Sequence, residues 1–453
     1  MYSRVFRSVP RLARRVHFFG CTPDGKALSD VDLYSMSDAF RKAYLGYAVI
    51  RPLHAFRVGD TVLKSPRILD VGQGGKEGHA DLVHCLASFE VSLLGNRPGV
   101  RGMPFIQQET SVGVCAQADL WMVARYLNKL GETRRYRPGE ISELAMRSIS
   151  LGPAREGLID IQMLDTLRQM GLNPTLFTPR DWQEAAEFIY TCVESELPVI
   201  AGIPDHVVLV IGHGVGGKGE IGKPFNLAGK SLGLYSMSQV VSSFVAHDDA
   251  SGPYREMKVG SRSHRGRSGV TVLELEGNPV DFCLVALPQR VNMTWQDVLI
   301  HTKAWLEEAT EFVARQILKA TPDQLWTPEE RRNLVIRAYL RRCSQFKEDI
   351  VAGPREERRH EDIIAKYMCM PMPKYVWVVE LARLQDIENR EFESRVIVGE
   401  ILIDSTASPH VPEQSVLAFH LNGAMYAAPQ DEASAMLLVR ESRAYRPLRR
   451  SQC

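Results

Sequence analysis

Apolar positions along the middle of the chain repeat with two different periods. In "AQADLWMVARYLNKLG" the residues Ala116, Leu120, Val123, Ala124, Leu127 and Leu130 fall on one helical face, and Gly131 suits the C′ position. "IDIQMLDTLRQMG" predicts a second amphipathic helix, again ended by a glycine, Gly171. "LPVIAGI" and "HVVLVIG" are short apolar runs separated by Pro204 and Asp205, which predicts two strands joined by a tight turn. "VSSFVAH", "GVTVLELE" and "DFCLVALP" add further strands. Helices come first and strands follow in a run, an order that predicts an α+β fold rather than a doubly wound sheet.

The flanks read differently. Residues 1 to 27 form a basic N-terminal arm, and residues 28 to 105 an N-terminal α/β region. That region has a helical stretch, "SMSDAFRKAYLGY", strands in "YAVIRPL" and "HCLASFEVSLL", and a turn-rich loop at 71 to 78. Residues 106 to 290 carry the helix-then-strand pattern, and residues 291 to 453 a helical and then β region. There "TWQDVLIHTKAWLEEATEFVARQIL" predicts a helix capped by Thr294. "TPEERRNLVIRAYLRRC" predicts another, with Thr327 as N-cap and Pro328 at N1. "KYVWVVELARL", "SRVIVGEILID" and "SVLAFHL" predict strands near the C-terminus.

Composition narrows the function classes. With 453 residues, 45% hydrophobic and 24% charged, the chain is long enough for two or three domains with real cores. A net charge of +1 gives no global field for nucleic acid, so no nucleic-acid partner is expected. No apolar run approaches the roughly 20 residues of a membrane span. Eight cysteines, at 21, 85, 115, 192, 283, 343, 369 and 453, form no C-x-x-C and no zinc-finger spacing. No metal or cofactor is expected. Scattered cysteines suit a reducing compartment, and the expectation is a cytoplasmic protein.

One stretch imitates a nucleotide site. Gly212, Gly217 and Lys218 match G-x-x-x-x-G-K at the end of an apolar run. A phosphate cradle then needs Ser or Thr and a helix N-terminus facing the phosphates. Here Gly219 follows the lysine, and Gly222 and Pro224 disfavour a helix. The reading is a loop insert near the cleft.

The densest chemical signal is "PFIQQETSVGVCAQADLWMVARYL". Cys115 stands just before the first turn of the predicted helix, where the macrodipole favours thiolate over thiol. A thiolate nucleophile needs a base, and the base an orienting group. His206, His213 and His247 each stand at a strand end, and Asp248 and Asp249 follow His247 directly, placed to orient an imidazole through Nδ1–H.

Together these pieces resemble the papain-like cysteine peptidases, closest to the C39-like branch of bacteriocin-leader type. The resemblance covers residues 104 to 290: a glutamine, Cys115 opening a helix with Ala118 and Leu120, a helix ending in Gly-Leu, "LPVIAGI", His206 heading "HVVLVIGHG", then an aspartate. It implies a papain-like core, helical part plus antiparallel sheet, flanked by additional mixed α/β regions. Carried over, Cys115 is the nucleophile, His206 the general base and acid, and Asp248 (or Asp249) the orienting acid. Gln108 serves the oxyanion hole beside the Cys115 N–H, with Gln107 as the other candidate. The usual spacing would put Glu109 in that place, Val114 and Ala116 replace the usual neighbours of the cysteine, and the gap from His206 to the acid is long. The implied function is cleavage of a peptide or isopeptide bond in a peptide or protein substrate through a thioester. Acyl transfer from the same site, or an inactive interaction module, are the alternatives.

Overall fold

The computed structural model describes residues 12–20, 36–52, 57–65, 80–83, 85–107, 115–147, 158–215, 223–227, 230–263, 271–352, 358–388, 396–421, 424–427 and 436–438. It is mixed α+β, and every strand pair in the named sheets is antiparallel except one, described below.

A small N-terminal sheet runs in the order β1 (Arg14–Phe19), β2 (Tyr44–Ile50), β3 (Val58–Leu63) and β7 (Pro104–Phe105). A short helix, α1 (Asp38–Lys42), precedes β2 and is capped by the Ser37 hydroxyl accepting from Phe40 N–H. The predicted helix "SMSDAFRKAYLGY" is therefore one turn only, because Tyr44 and Tyr47 are buried in the sheet. Strand β4 (Ala80–Val83) leaves this region to join the next sheet, while β5 (Ala87–Glu90) and β6 (Gly99–Gly102) form a ribbon.

Next comes a helical layer. Helix α2 spans Cys115–Lys129, α3 Pro138–Arg147 and α4 Asp160–Gln169. Gly131 follows α2 at φ 74°, and Glu132 N–H donates to Leu127 O, closing the helix as its sequence predicts. Gly171 does the same for α4 at φ 82°.

The nine-stranded sheet follows. Its path is β17 (Asn278–Pro279), β16 (Thr271–Leu275), β15 (Gly252–Ser263), β14 (Val241–Asp248), β10 (His206–Val215), β9 (Val199–Ile203), β18 (Phe282–Leu287) and β8 (Asn173–Phe177). On one edge of β10, β9 covers His206 to Val210 and β4 covers Gly212 to Val215; β14 runs along the other edge. β9 and β10 are joined by Pro204 and a left-handed Asp205 (φ 59°), which together reverse the chain tightly.

Successive residues of β10 serve different layers. Val207, Leu209 and Ile211 share one buried cluster with Ala116, Leu120 and Val123 of α2. Val208 and Val210 share another with Phe188, Ile189 and Val193 of α5 (Trp182–Glu194), whose residues from Glu184 onward are all buried. Continuous apolar sequence is what a strand covered on both faces needs.

The C-terminal part builds a seven-stranded sheet: β13 (Tyr235–Ser236), β19 (Leu334–Arg342), β20 (Tyr375–Arg383), β21 (Gly399–Asp404), β22 (Val416–Leu421), β23 (Ala424–Ala427) and β24 (Met436–Leu438). Short strands β11 (Asn226–Leu227) and β12 (Lys230–Ser231) pair with each other. Helix α6 (Trp295–Phe312) begins where Thr294 accepts from Asp297 N–H, as predicted. Its cluster holds Trp305 and Leu306 with Leu340, Trp377 and Ile401 on one face of the sheet. Helices α8 (Cys343–Val351) and α9 (Glu361–Cys369) cover the other face, where Phe346, Ile363 and Tyr367 meet Tyr339, Val378 and Leu402.

The helix predicted from Thr327 is corrected here. Only α7 (Pro328–Arg332) is helical, with Thr327 as its cap, and "LVIRAYLRR" is β19. Residues Leu334 to Ile336 and Ala338 to Arg341 are all buried, so both faces of this strand are covered. Such a run carries no period that separates strand from helix.

The segments on either side of residue 290 share one core, since Ala185, Val208 and Phe244 cluster with Leu340, Trp377 and Ile401. A buried charge chain also joins them. Glu194, at the end of α5, accepts from His213 Nε2 at 2.7 Å and from Arg337 at 2.6 Å, and Arg337 reaches on to Glu380 at 2.6 Å. Tyr339 O–H donates to the other Glu380 oxygen at 3.1 Å.

Candidate active site

Cys115 is the first residue of α2, and no acid stands in the first turn to offset the helix dipole. Its side chain, and all of Gln108 and Glu109, lie outside the described residues. Gln107 is described, and it is occupied: its N–H donates to Val58 O, and its Oε1 accepts from Val58 N–H at 3.0 Å. It thereby fastens the lead-in to Cys115 onto β3.

His206 opens β10 directly after the Pro204–Asp205 turn. Its ring is about one-fifth exposed, with Nε2 3.1 Å from Asp248 Oδ1 and 3.4 Å from Asp249 Oδ1. The orienting contact is therefore on Nε2, not on Nδ1 as the sequence reading had it. Asp248 stands on the neighbouring strand, β14, and the far end of the imidazole spans the gap. Nδ1 is left on the opposite side of the ring.

Asp248 is held by more than the histidine. The same Oδ1 accepts from Ala250 N–H at 2.9 Å and Ser251 N–H at 3.2 Å, the hydrogen bonds of an Asx-type turn. Burial pushes this carboxyl up, but the hydrogen bonds from His206, Ser251 and Ala250 outweigh it and hold it well below the usual range. Asp249 goes the other way. Its side chain is 1% exposed. Burial pushes it up to about 6, the His206 charge opposing and the Asp248 charge adding to the rise. Two adjacent aspartates are thus driven apart, one a fixed carboxylate and the other titrating near neutrality.

The remaining histidines have other work. His247 is fully buried, edge-on to Phe105 at 5.5 Å and to Tyr254 at 4.8 Å. Burial drives its pKa down to about 3, so the ring is neutral near neutrality. His213 belongs to the Glu194 chain. Of the three candidates, only His206 pairs with Asp248.

Strand alternation puts His206 with Val208 and Val210, whereas α2 packs on Val207, Leu209 and Ile211. The register alone therefore does not turn the ring toward α2. Tyr126 O–H donates to Glu196 O just before β9, at the end of that strand remote from His206. Phe105 joins Ala116 in one cluster and touches His247, the neighbour of Asp248.

Among the described residues, His206, Asp248 and Asp249 are the one group of three potential metal ligands, with donor atoms within 4.8 Å of one another. All three make the contacts just given. Sequence reasoning missed the opposite charge states of Asp248 and Asp249, because adjacency in sequence carries no information on burial. It also missed Tyr254, which lies in a segment, "SGPY", that reads as a plain turn. No protein-family profile matches the chain, and no curated protein matches it.

Proposed function

We propose that the chain is a cysteine hydrolase acting on a peptide or isopeptide bond, built on a papain-like core between residues 106 and 290. The observation that carries this reading is the His206–Asp248 pair at 3.1 Å through Nε2, on the sheet against which the Cys115 helix packs. A base oriented on one nitrogen keeps the other for proton transfer.

In this reading Nδ1 of His206 takes the Cys115 proton, and the thiolate attacks the carbonyl carbon of the substrate. The Cys115 N–H and the Gln108 amide donate to the oxyanion. As the tetrahedral centre collapses, the imidazolium returns the proton to the leaving amine and a thioester remains. Water, deprotonated by His206, then hydrolyses the thioester and frees the thiol. Asp248, ionised throughout, stabilises the imidazolium at each stage.

The test is iodoacetamide alkylation of Cys115 as a function of pH, with Cys115→Ala as the blank. A reactive thiolate well below the ordinary value of about 8.5, moved upward by His206→Ala, supports the enzyme. An ordinary thiol, indifferent to His206, means a non-catalytic interaction module instead.

A further inference from the structure

The turn that holds Asp248 is anchored from outside the sheet that bears it. β14 and β15 form a hairpin in which Asp248 pairs with Gly252, and Tyr254 lies two residues further on. Tyr254 has φ 53°, a left-handed backbone that a bulky aromatic rarely adopts, and it is buried. Surroundings that over-determine a residue are needed to keep such a conformation. Its hydroxyl supplies them, donating to Leu63 O at 2.7 Å and accepting from Met103 N–H at 2.9 Å.

Both partners belong to the N-terminal region. Leu63 ends β3, and Met103 stands between β6 and β7. Gly102 leaves room for the junction: a Cβ there would lie 2.2 Å from Leu63 O and 3.0 Å from the Tyr254 hydroxyl. At its other end β3 holds Gln107, through both bonds to Val58. One strand therefore ties down the turn with the acid and the segment leading to Cys115. The Tyr254 ring also stands edge-on to His247, whose chain neighbour is Asp248. Burial raises the phenol well above its ordinary pKa, so the hydroxyl keeps its proton.

We propose, resting on the hydrolase reading above, that Tyr254 is a positioning residue of the site: it clasps the Asp248 turn to β3, so that the N-terminal sheet sets the geometry of the His206–Asp248 pair. Tyr254→Phe keeps the ring on His247 and removes only the two hydroxyl bonds. Three readouts follow. The Ala250 and Ser251 amides, which donate to Asp248, exchange at least tenfold faster, while the amides of Phe244 and Val245 in the same hairpin keep their rates. The His206 imidazole N–H resonance broadens or moves toward that of a solvated ring. The Cys115 alkylation midpoint shifts toward that of a free thiol.

Uniformly faster exchange, or an unchanged His206 resonance and alkylation midpoint, overturns the proposal and leaves Tyr254 a structural residue. If wild-type Cys115 is itself an ordinary thiol, the hydrolase reading fails; the amide and imidazole measurements still decide whether Tyr254 holds the turn. Should Tyr254→Phe not fold, Gly102→Ala presses first on Leu63 O, the acceptor of the Tyr254 hydroxyl, and is read in the same way.

Discussion

His206 Nε2 lies 3.1 Å from Asp248 Oδ1, which places Nδ1, the nitrogen nearer the backbone, on the side of the ring away from that carboxylate. The pair is set across two adjacent strands, so its geometry depends on the β10–β14 register and on the Asx-type turn that fixes the carboxylate.

Removing the base tests the proton transfer directly. His206→Ala is expected to lower kcat by about 10²- to 10⁴-fold, the usual worth of a positioned general base. Asp248→Ala is expected to fall short of that, because the imidazole remains and loses only its orientation. Single-turnover kinetics on a peptide thioester would rank the two, and a larger loss for Asp248→Ala contradicts the assignment.

Asp249 supplies a pH signature. Its carboxyl, raised from an ordinary 3.8 to about 6, is neutral in acid and ionised at neutrality. A native pKa above the unfolded one means that the stability it contributes is present below pH 4 and lost as pH rises through about 6. Asp249→Asn is therefore expected to be more stable than wild type at pH 7, with the advantage vanishing near pH 4. Denaturant midpoints across that window check it, and a difference that does not change with pH rules it out.

The same residue shapes reactivity. Above pH 6 two carboxylates face His206 and favour its charged form, which on the proposed hydrolase reading favours a thiolate on Cys115. In Asp249→Asn the rise in alkylation rate near pH 6 is expected to disappear, whereas the Asp248 contribution persists.

Arg337 is the hinge pin of the buried charge chain, bonded to Glu194 on one side and Glu380 on the other. Arg337→Met leaves two buried carboxylates without their cation, and a loss of about 3–5 kcal/mol is expected. Urea unfolding measures it, and a loss under about 1 kcal/mol would mean that the chain adds little to stability.

Gly131→Ala isolates a local term. No heavy atom lies within 4 Å of a Cβ built there, so only the left-handed backbone at φ 74° resists the substitution. A cost of about 1–2 kcal/mol is expected, with activity unchanged.

Local signals were legible wherever one residue decides them. Gly131 and Gly171 stop their helices, Thr294 starts one, and Pro204–Asp205 turns a hairpin, all visible in sequence. What depends on burial was not. β19 reads as a helix because Thr327 and Pro328 do start one, and nothing in "NLVIRAYLRR" shows that both of its sides are covered. At the site, residue types leave three histidines and two aspartates open and the resemblance points to His206 and Asp248, while the nitrogen used, the elevated Asp249 and the Tyr254 clasp depend on distances across strands. Leu63 and Tyr254 are 191 positions apart, beyond any local pattern.

The one parallel pair has a consequence for how this chain is made. Tyr235 and Ser236 pair with Val335 and Ile336, so β13 precedes its partner by a hundred positions. During synthesis β13 emerges first and waits, its edge groups open, until β19 leaves the ribosome about 5–20 s later. The buried end of α5 waits with it, because Glu194 has no Arg337 until the same strand arrives. A nascent chain stalled near residue 300 is therefore an unfinished, association-prone species, and the closing of the two sheets around α5 is a late event.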